Sequence, residues 1–331
     1  SRPFADQTLN FWLDPRSVSA SGTLEVEVNP DHTVPETYYF NNTATAPLNF
    51  VTTPPLVLVT IPVRVLQMGS WHEVPWYMPM VLTRYADNIL PVADIELVTP
   101  FGKRIYWDEP IGPEPEDSWL DLLDEVDDLS KKAHSGLVGS HWYGMIPFDI
   151  TVTGNTIAGY GKTPGQATVG LVPRYHLKCP DGSANQENYA DVLVHELGHN
   201  FNRKHAPCGD VDNIDPDFPH AGAEIGDYGW DPNGAAGGPL VSLPWGWVVP
   251  DRTKDIMSYC QENWTSAYTY EAILDYRGWQ HAEAGASPLG QQDRDSFPDL
   301  GHPESLQPYL FASGSIEGSV TSLRPWSILD R

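Results

Sequence analysis

The spacing of apolar residues changes character several times along the chain, and each change predicts an element. Thr23-Leu24-Glu25-Val26-Glu27-Val28 alternates with a period of two, as a half-buried strand does, and Asn29-Pro30-Asp31 then signals a turn. Leu56-Val57-Leu58-Val59-Thr60-Ile61 is apolar without alternation, which suits a strand buried on both faces within the segment from Pro55 to Val65. Further strands are expected at Asp94 to Val98, at Phe148 to Thr153 and along the Gly-rich stretch from Gly159 to Leu171. Trp119 to Val126 has helical spacing, with acidic residues opposite the apolar ones. Gln186 to Phe201 predicts a second helix and Tyr270 to Tyr276 a third. Residues 206–253 are rich in Gly, Pro and Asp and read as irregular loop. Beyond residue 284 the chain reads mostly as loop, with weak strand signals at 308–320 and 325–329, and there are no internal repeats.

Together these elements predict an α+β (α/β) fold in three parts. A β-rich N-terminal segment occupies residues 1–52, the principal domain residues 53–285, and an extension with short strands residues 286–331. Pro54-Pro55 marks the first boundary. Glu36-Thr37-Tyr38-Tyr39-Phe40-Asn41-Asn42 resembles the end of a bacterial adhesion-type β-sandwich module, of which the first segment would carry a part.

Composition narrows the function. A chain of 331 residues with 40% hydrophobic and 19% charged residues has a globular profile. No apolar run approaches the roughly 18 residues that a membrane-spanning helix needs. A formal net charge of -25 repels phosphate backbones and argues against a nucleic-acid partner. It fits a secreted, a salt-adapted or a cation-binding protein alike. The chain starts at Ser1 without an initiator Met or signal peptide, so a processed or trimmed form is expected. Its cysteines, Cys179, Cys208 and Cys260, permit one bridge and one free thiol.

The chemistry concentrates in His195-Glu196-Leu197-Gly198-His199-Asn200-Phe201-Asn202-Arg203-Lys204-His205. Positions i and i+4 share a helix face, so His195 and His199 can offer imidazoles to one ion. Glu196 would lie beside that ion, placed to take a proton from water whose pKa zinc lowers to about 7. His205 cannot join them on a continuous helix, where six more residues at about 1.5 Å each would carry it roughly 9 Å along the axis. The chain must turn between His199 and His205, and Asn202 tolerates the left-handed backbone such a turn needs. His72, His141, His176 and His220 have no ligand spacing and read as ordinary surface or core histidines. Asp210, Asp212, Asn213, Asp215 and Asp217 form an oxygen-rich loop; calcium is a candidate there, although a solvated acidic loop is the favoured reading.

This pattern, with Asp255-Ile256-Met257-Ser258-Tyr259-Cys260 downstream, resembles the metzincin clan of secreted zinc endopeptidases, and Met-Ser-Tyr is similar to its serralysin and astacin branches. Asn202 stands where that clan usually has Gly. The resemblance covers about residues 55–285, although its motifs span only 195–205 and 255–260. It implies a twisted mixed sheet, an active-site helix and an irregular lower subdomain. It also implies zinc on His195, His199 and His205, with Met257 as an apolar floor beneath. Tyr259 would be a displaceable extra ligand that later stabilises the oxyanion. In the clan, a strand in the place of Gly159 to Leu171 edges the cleft and pairs with extended substrate. Gly159, Gly161 and Gly165 fit that role and fit simple bulges or turns equally well. The implied partner is a protein or glycoprotein substrate, with the enzyme a secreted monomer of bacterial type. The rival reading is a catalytically degenerate zinc-binding adhesion module, against which the intact Glu196 counts.

If both ligand segments converge on one ion, Cys208, three residues after His205, and Cys260, three after Met257, come close. That favours a Cys208–Cys260 disulfide with Cys179 free, and an oxidising compartment. Pairing of Cys179 with Cys208, and free thiols, remain open at this level.

Overall fold

The computed structural model describes residues 11–13, 21–49, 53, 55–100, 102–111, 117–132, 137, 139–150, 158–172, 190–230, 242–243, 247–260, 263–284, 309–312, 314–317, 320–323 and 327–329. In chain order the strands begin with β1 (Phe11–Leu13), β2 (Ser21–Glu27) and β3 (Thr43–Asn49). Next come β4 (Leu56–Gln67), β5 (Ser70–His72), helix α1 (Met78–Ile89), β6 (Ile95–Val98), β7 (Ile105–Trp107), helix α2 (Asp117–Lys131), β8 (His141–Ile146), β9 (Gly159–Gly161), β10 (Ala167–Leu171) and helix α3 (Ala190–Asn200). Short strands β11 (Gly229–Trp230), β12 (Ser242–Leu243), β13 (Trp247–Val248), β14 (Lys254–Asp255) and β15 (Asn263–Trp264) precede helix α4 (Ala267–Ala284). The chain closes with β16 (Tyr309–Ala312), β17 (Gly314–Glu317), β18 (Val320–Leu323) and β19 (Ser327–Leu329).

The chain divides into two units, residues 1–52 with 298–331 and residues 53–297. In the first, β2 and β3 form an antiparallel hairpin, while β1 pairs with β16 from the far end of the sequence. The Glu36–Asn42 stretch lies in the turns that join β2 to β3.

The second unit is a mixed α/β structure around an open seven-stranded sheet, with path β5-β4-β8-β10-β9 and with β6 and β7 both on β4. β4 runs parallel to β6, β7 and β8, and the parallel β10 follows β8. Side chains alternate across such a strand, and β4 serves two cores. Leu56 and Leu58 join α1 and α3 through Leu82, Leu193 and Leu197, whereas Val59, Ile61, Val63 and Val65 join α2 through Trp119, Leu122 and Val126. Helices therefore cover the sheet on both faces, which is why the start of β4 reads as unbroken apolar sequence.

Several elements depart from the sequence expectation. The expected strand at Phe148 to Thr153 is displaced: β8 ends at Ile146, the chain turns at 148–149, and residues 151–153 lie outside the described residues. β8 is buried at all six positions, so it shows no alternation to find. The Gly159 to Leu171 stretch is two antiparallel strands rather than one. α1 was not expected; Pro79 sits in its first turn, where a missing N–H does no harm. α2 and α4 run beyond their expected limits, and α2 gains the i,i+4 pair Asp127–Lys131 at its end. α3 begins at Ala190, with residues 186–189 outside the described residues. Among the described residues of 206–253, a 3-10 turn at Ala221–Ala223 and the short strands β11, β12 and β13 interrupt the loops.

Candidate metal centre

α3 carries His195 and His199 one turn apart, with His195 and Gly198 against the segment from Asp255 to Cys260. Asn202 has a φ of 62° and ends the helix: its N–H donates to His199 O at 2.9 Å, and Arg203 N–H donates to Gly198 O at 2.9 Å. This left-handed cap reverses the chain, and His205 comes back to the helix pair. The ligand-capable nitrogens of His195, His199 and His205 lie within 4.8 Å of one another, and the Nε2 atoms of His199 and His205 are 3.1 Å apart.

Each imidazole is oriented the same way, by a backbone carbonyl at Nδ1. His195 Nδ1 meets Ile256 O at 2.8 Å, His199 Nδ1 meets Arg203 O at 2.9 Å, and His205 Nδ1 meets Asp212 O at 2.5 Å. The proton is thereby fixed on Nδ1, and the Nε2 lone pair of each ring is left to face its neighbours. Burial keeps the rings uncharged. It holds His195 well below the usual histidine range, with the neighbouring His199 and His205 adding to the effect. It lowers His199 to about 4 and pushes His205 down as well. Three neutral, converging imidazoles are compatible with a zinc site. Among the described residues they are the group of three or more such side chains able to share an ion.

Residues 255–260 pack against α3 beside the imidazoles. Met257 is 1% exposed, and its sulfur occupies the space where a β-carbon on Gly198 would stand. Buried Asp255 holds this turn, accepting Met257 N–H at 2.8 Å and Ser266 N–H at 2.9 Å. The same turn presents Ile256 O to His195, so one short segment supplies both the packing against Gly198 and the orienting acceptor. The disulfide joins Cys208 to Cys260 with Cα atoms 5.7 Å apart. Cys179 lies outside the described residues. Beside the bridge, Tyr259 N–H donates to Cys208 O at 3.0 Å, and Ala206 N–H donates to Met257 O at 3.0 Å. The Tyr259 ring is 4.9 Å from that of His205 and 5.6 Å from that of His195, and the residue is 56% exposed. Partial burial, with the charges of Glu196 and Asp212 adding, raises its hydroxyl to about 12. Gly209, at a φ of 85°, passes so close that a β-carbon there would stand 2.7 Å from Tyr259 Cβ.

Glu196 is 5% exposed, and burial pushes its carboxyl well above the usual carboxylate range. Gly159 and Gly161 lie over it. A β-carbon on Gly159 would stand 2.8 Å from Glu196 Oε1, and one on Gly161 would stand 2.6 Å from Glu196 O and 3.1 Å from Oε2. Among the described residues, β9 is also an end strand of its sheet. Lys162 N–H donates to Ala167 O and Leu171 N–H to Ala158 O, so Gly159 and Gly161 occupy the non-bonded positions facing β10. Their own N–H and C=O groups therefore point to the open edge.

The acidic loop meets His205 through its backbone and other neighbours through the Asp215 carboxylate. Asp212 O and Asn213 O accept from His205, while the Asp215 carboxylate accepts the Tyr268 hydroxyl at 3.0 Å and Asp217 N–H at 3.1 Å. Asp210, Asp212, Asp215 and Asp217 are not gathered into a second ion-holding group. His72 pairs with Asp149 and His220 packs against Phe218, while His176 lies outside the described residues. The sequence does not single out Asn200, the last residue of α3; it is buried and joined at 3.0 Å to His141, which is a core histidine as expected. An Asn in the last turn of an otherwise apolar buried face was the available signal. No protein-family model matches the sequence, and no curated protein matches it.

Proposed function

We propose that the protein is a secreted zinc endopeptidase of the metzincin type, with His195, His199 and His205 as the metal ligands. The observation that carries the reading is the shared orientation of the three imidazoles, each held at Nδ1 by a carbonyl and open at Nε2. The donor set contains nitrogen and no thiolate, a pattern that suits zinc in a site with an open position. Zinc held there supplies Lewis acidity toward a peptide carbonyl and toward water.

The chain's own groups divide the remaining work. Glu196 follows His195 directly and takes the proton as water adds to the carbonyl carbon, then delivers it to the departing amine. Its buried setting raises its proton affinity and so suits it to the first of these transfers. Tyr259, whose hydroxyl remains protonated at neutral pH, serves as a donor to the negative charge that develops on the carbonyl oxygen. The free edge of β9 offers N–H and C=O groups to an extended peptide, which favours cleavage within a chain over trimming of its ends. The disulfide supports an oxidising compartment, and no helix among the described residues is long and apolar enough to cross a membrane.

The test is cleavage-site profiling on a peptide and glycoprotein library, with zinc content measured in parallel. The wild type is expected to cut internal bonds while holding about one equivalent of zinc. Glu196→Gln should retain the zinc and lose at least about 100-fold in kcat. A wild-type protein that holds zinc and cuts nothing in the library would point to a binding module instead.

A further inference from the structure

Gly159 and Gly161 face α3 without side chains, so no side-chain packing from these positions holds β9 against the ligand helix. Yet the approach is close: a β-carbon on Gly161 would meet Glu196 O at 2.6 Å and His199 Cβ at 3.3 Å. β9 lies over the carboxylate and beside a metal-ligating residue; Val192 of α3 packs on Gly159 and Tyr160 packs on Trp119 of α2, but neither contact is directional enough to set the register of β9 on the end of α3.

The structure assigns that task to Asn200, a positioning residue that locks the β9–β10 hairpin to the end of the ligand helix. Asn200 is fully buried, one residue after His199. Its Nδ2 donates to Lys162 O at 2.9 Å and to Ala167 O at 3.1 Å, the two residues that close the hairpin. Its backbone carbonyl accepts Gly165 N–H, at 3.2 Å, from the hairpin turn. One residue thus grips both strands and the turn between them. Two carbonyl acceptors fix which end of the amide carries nitrogen, so Oδ1 must face His141. His141 Nδ1 lies 3.0 Å away and donates to it. His141 belongs to β8 and packs its ring on Phe201 at 4.8 Å, which ties the amide to the centre of the sheet. The chain of contacts runs from β8 through His141 and Asn200 to the hairpin, and Lys162 directly follows Gly161. No water can replace these bonds at a fully buried site, so losing the donors frees the edge strand rather than rewetting it.

This assignment rests in part on the hydrolytic reading, because the edge it positions is the one offered to substrate. Asn200→Asp keeps the size and the acceptor toward His141 but removes both donors. Leu193→Ala, a core truncation elsewhere on α3, serves as a comparison with a purely structural defect, the two being measured at matched thermal stability. In the metal-loaded protein, Asn200→Asp should speed hydrogen exchange at the Lys162 and Gly165 amides by about 10-fold relative to Leu193→Ala. Zinc should stay at about one equivalent. For extended peptides KM should rise by about 10-fold, with kcat falling less than KM rises. His141→Phe retains a ring against Phe201 and loses the donor that orients the amide; it should show the same pattern in smaller measure, and it stands in if Asn200→Asp does not fold. Exchange at those amides no faster than in Leu193→Ala would overturn the assignment, as would equal changes in kcat and KM. If the wild type cleaves no peptide, the hydrolytic reading fails, and hydrogen exchange still decides the role of Asn200.

Discussion

The ligand helix and the loops beneath it reach the same point by different physics. α3 is placed by burial: Leu193, Val194, Leu197 and Phe201 sit in one apolar core with α1 and the sheet, and His195 and His199 are carried along at helical spacing. The segments 202–215 and 255–260 have little regular structure. They are placed by single bonds: the left-handed cap at Asn202, the carbonyls of Asp212 and Asn213 on His205, the Asp255 carboxylate on the Met257 turn, and one disulfide. A defect in the helix should therefore be felt by the whole fold, whereas a defect in the loops should be felt first by the site.

The largest expected effect tests the helix side. Phe201→Ala should lower global stability by about 3–5 kcal/mol, read as the midpoint of denaturant unfolding. Zinc content of the remaining folded protein should be unchanged, and a selective loss of metal would break the contrast. On the loop side, replacing Cys208 and Cys260 together with Ser should cost about 2–4 kcal/mol. Transfer of zinc to a chelator should accelerate well before the helices melt. Simultaneous loss of metal and helix would show that the two regions are one cooperative body.

Acidity probes both regions at once. A folded His199 lowered to about 4 takes up its proton later than it would in the unfolded chain, at 6.5. The unfolded chain then binds more protons as pH falls from 6.5 toward 4, so metal-free protein loses stability over that window. Asp191 works in the opposite direction, because burial raises it to about 6. A difference measurement separates them. Metal-free wild type should lose on the order of 2–3 kcal/mol more than His199→Gln between these limits, by denaturant titration at each pH. Equal losses would remove His199 from the account. The smallest effect is expected at Asn202. Glycine accepts its left-handed backbone freely, so Asn202→Gly should change stability by less than about 1 kcal/mol and leave zinc content intact. A large loss would mean that the Asn202 side chain itself bonds the turn.

What the sequence reveals follows the same division. β4 is legible as an unbroken apolar run and α3 as a helix that carries the i,i+4 histidine pair, and the convergence of His195, His199 and His205 is legible because their spacing suits one ion. The disulfide was legible for a related reason, since it depends on the same two segments meeting. β8 was lost because a strand buried on both faces has no alternation, and its His, Trp, Tyr and Gly do not announce an apolar run. The pairing of β1 with β16 joins residues almost a chain length apart, and no local pattern records that. Asn200 could not be weighed in advance, because its importance lies in which carbonyls happen to surround it.

The bridge from Cys208 to Cys260 has a topological consequence. It closes residues 208–260 into one covalent ring, with His205 just outside it and Tyr259 just within. A single proteolytic nick anywhere between Gly209 and Tyr259 would open the ring without dividing the molecule. The two pieces would run as one band until a reductant is added, and His195, His199, His205 and Tyr259 would remain on one covalent body.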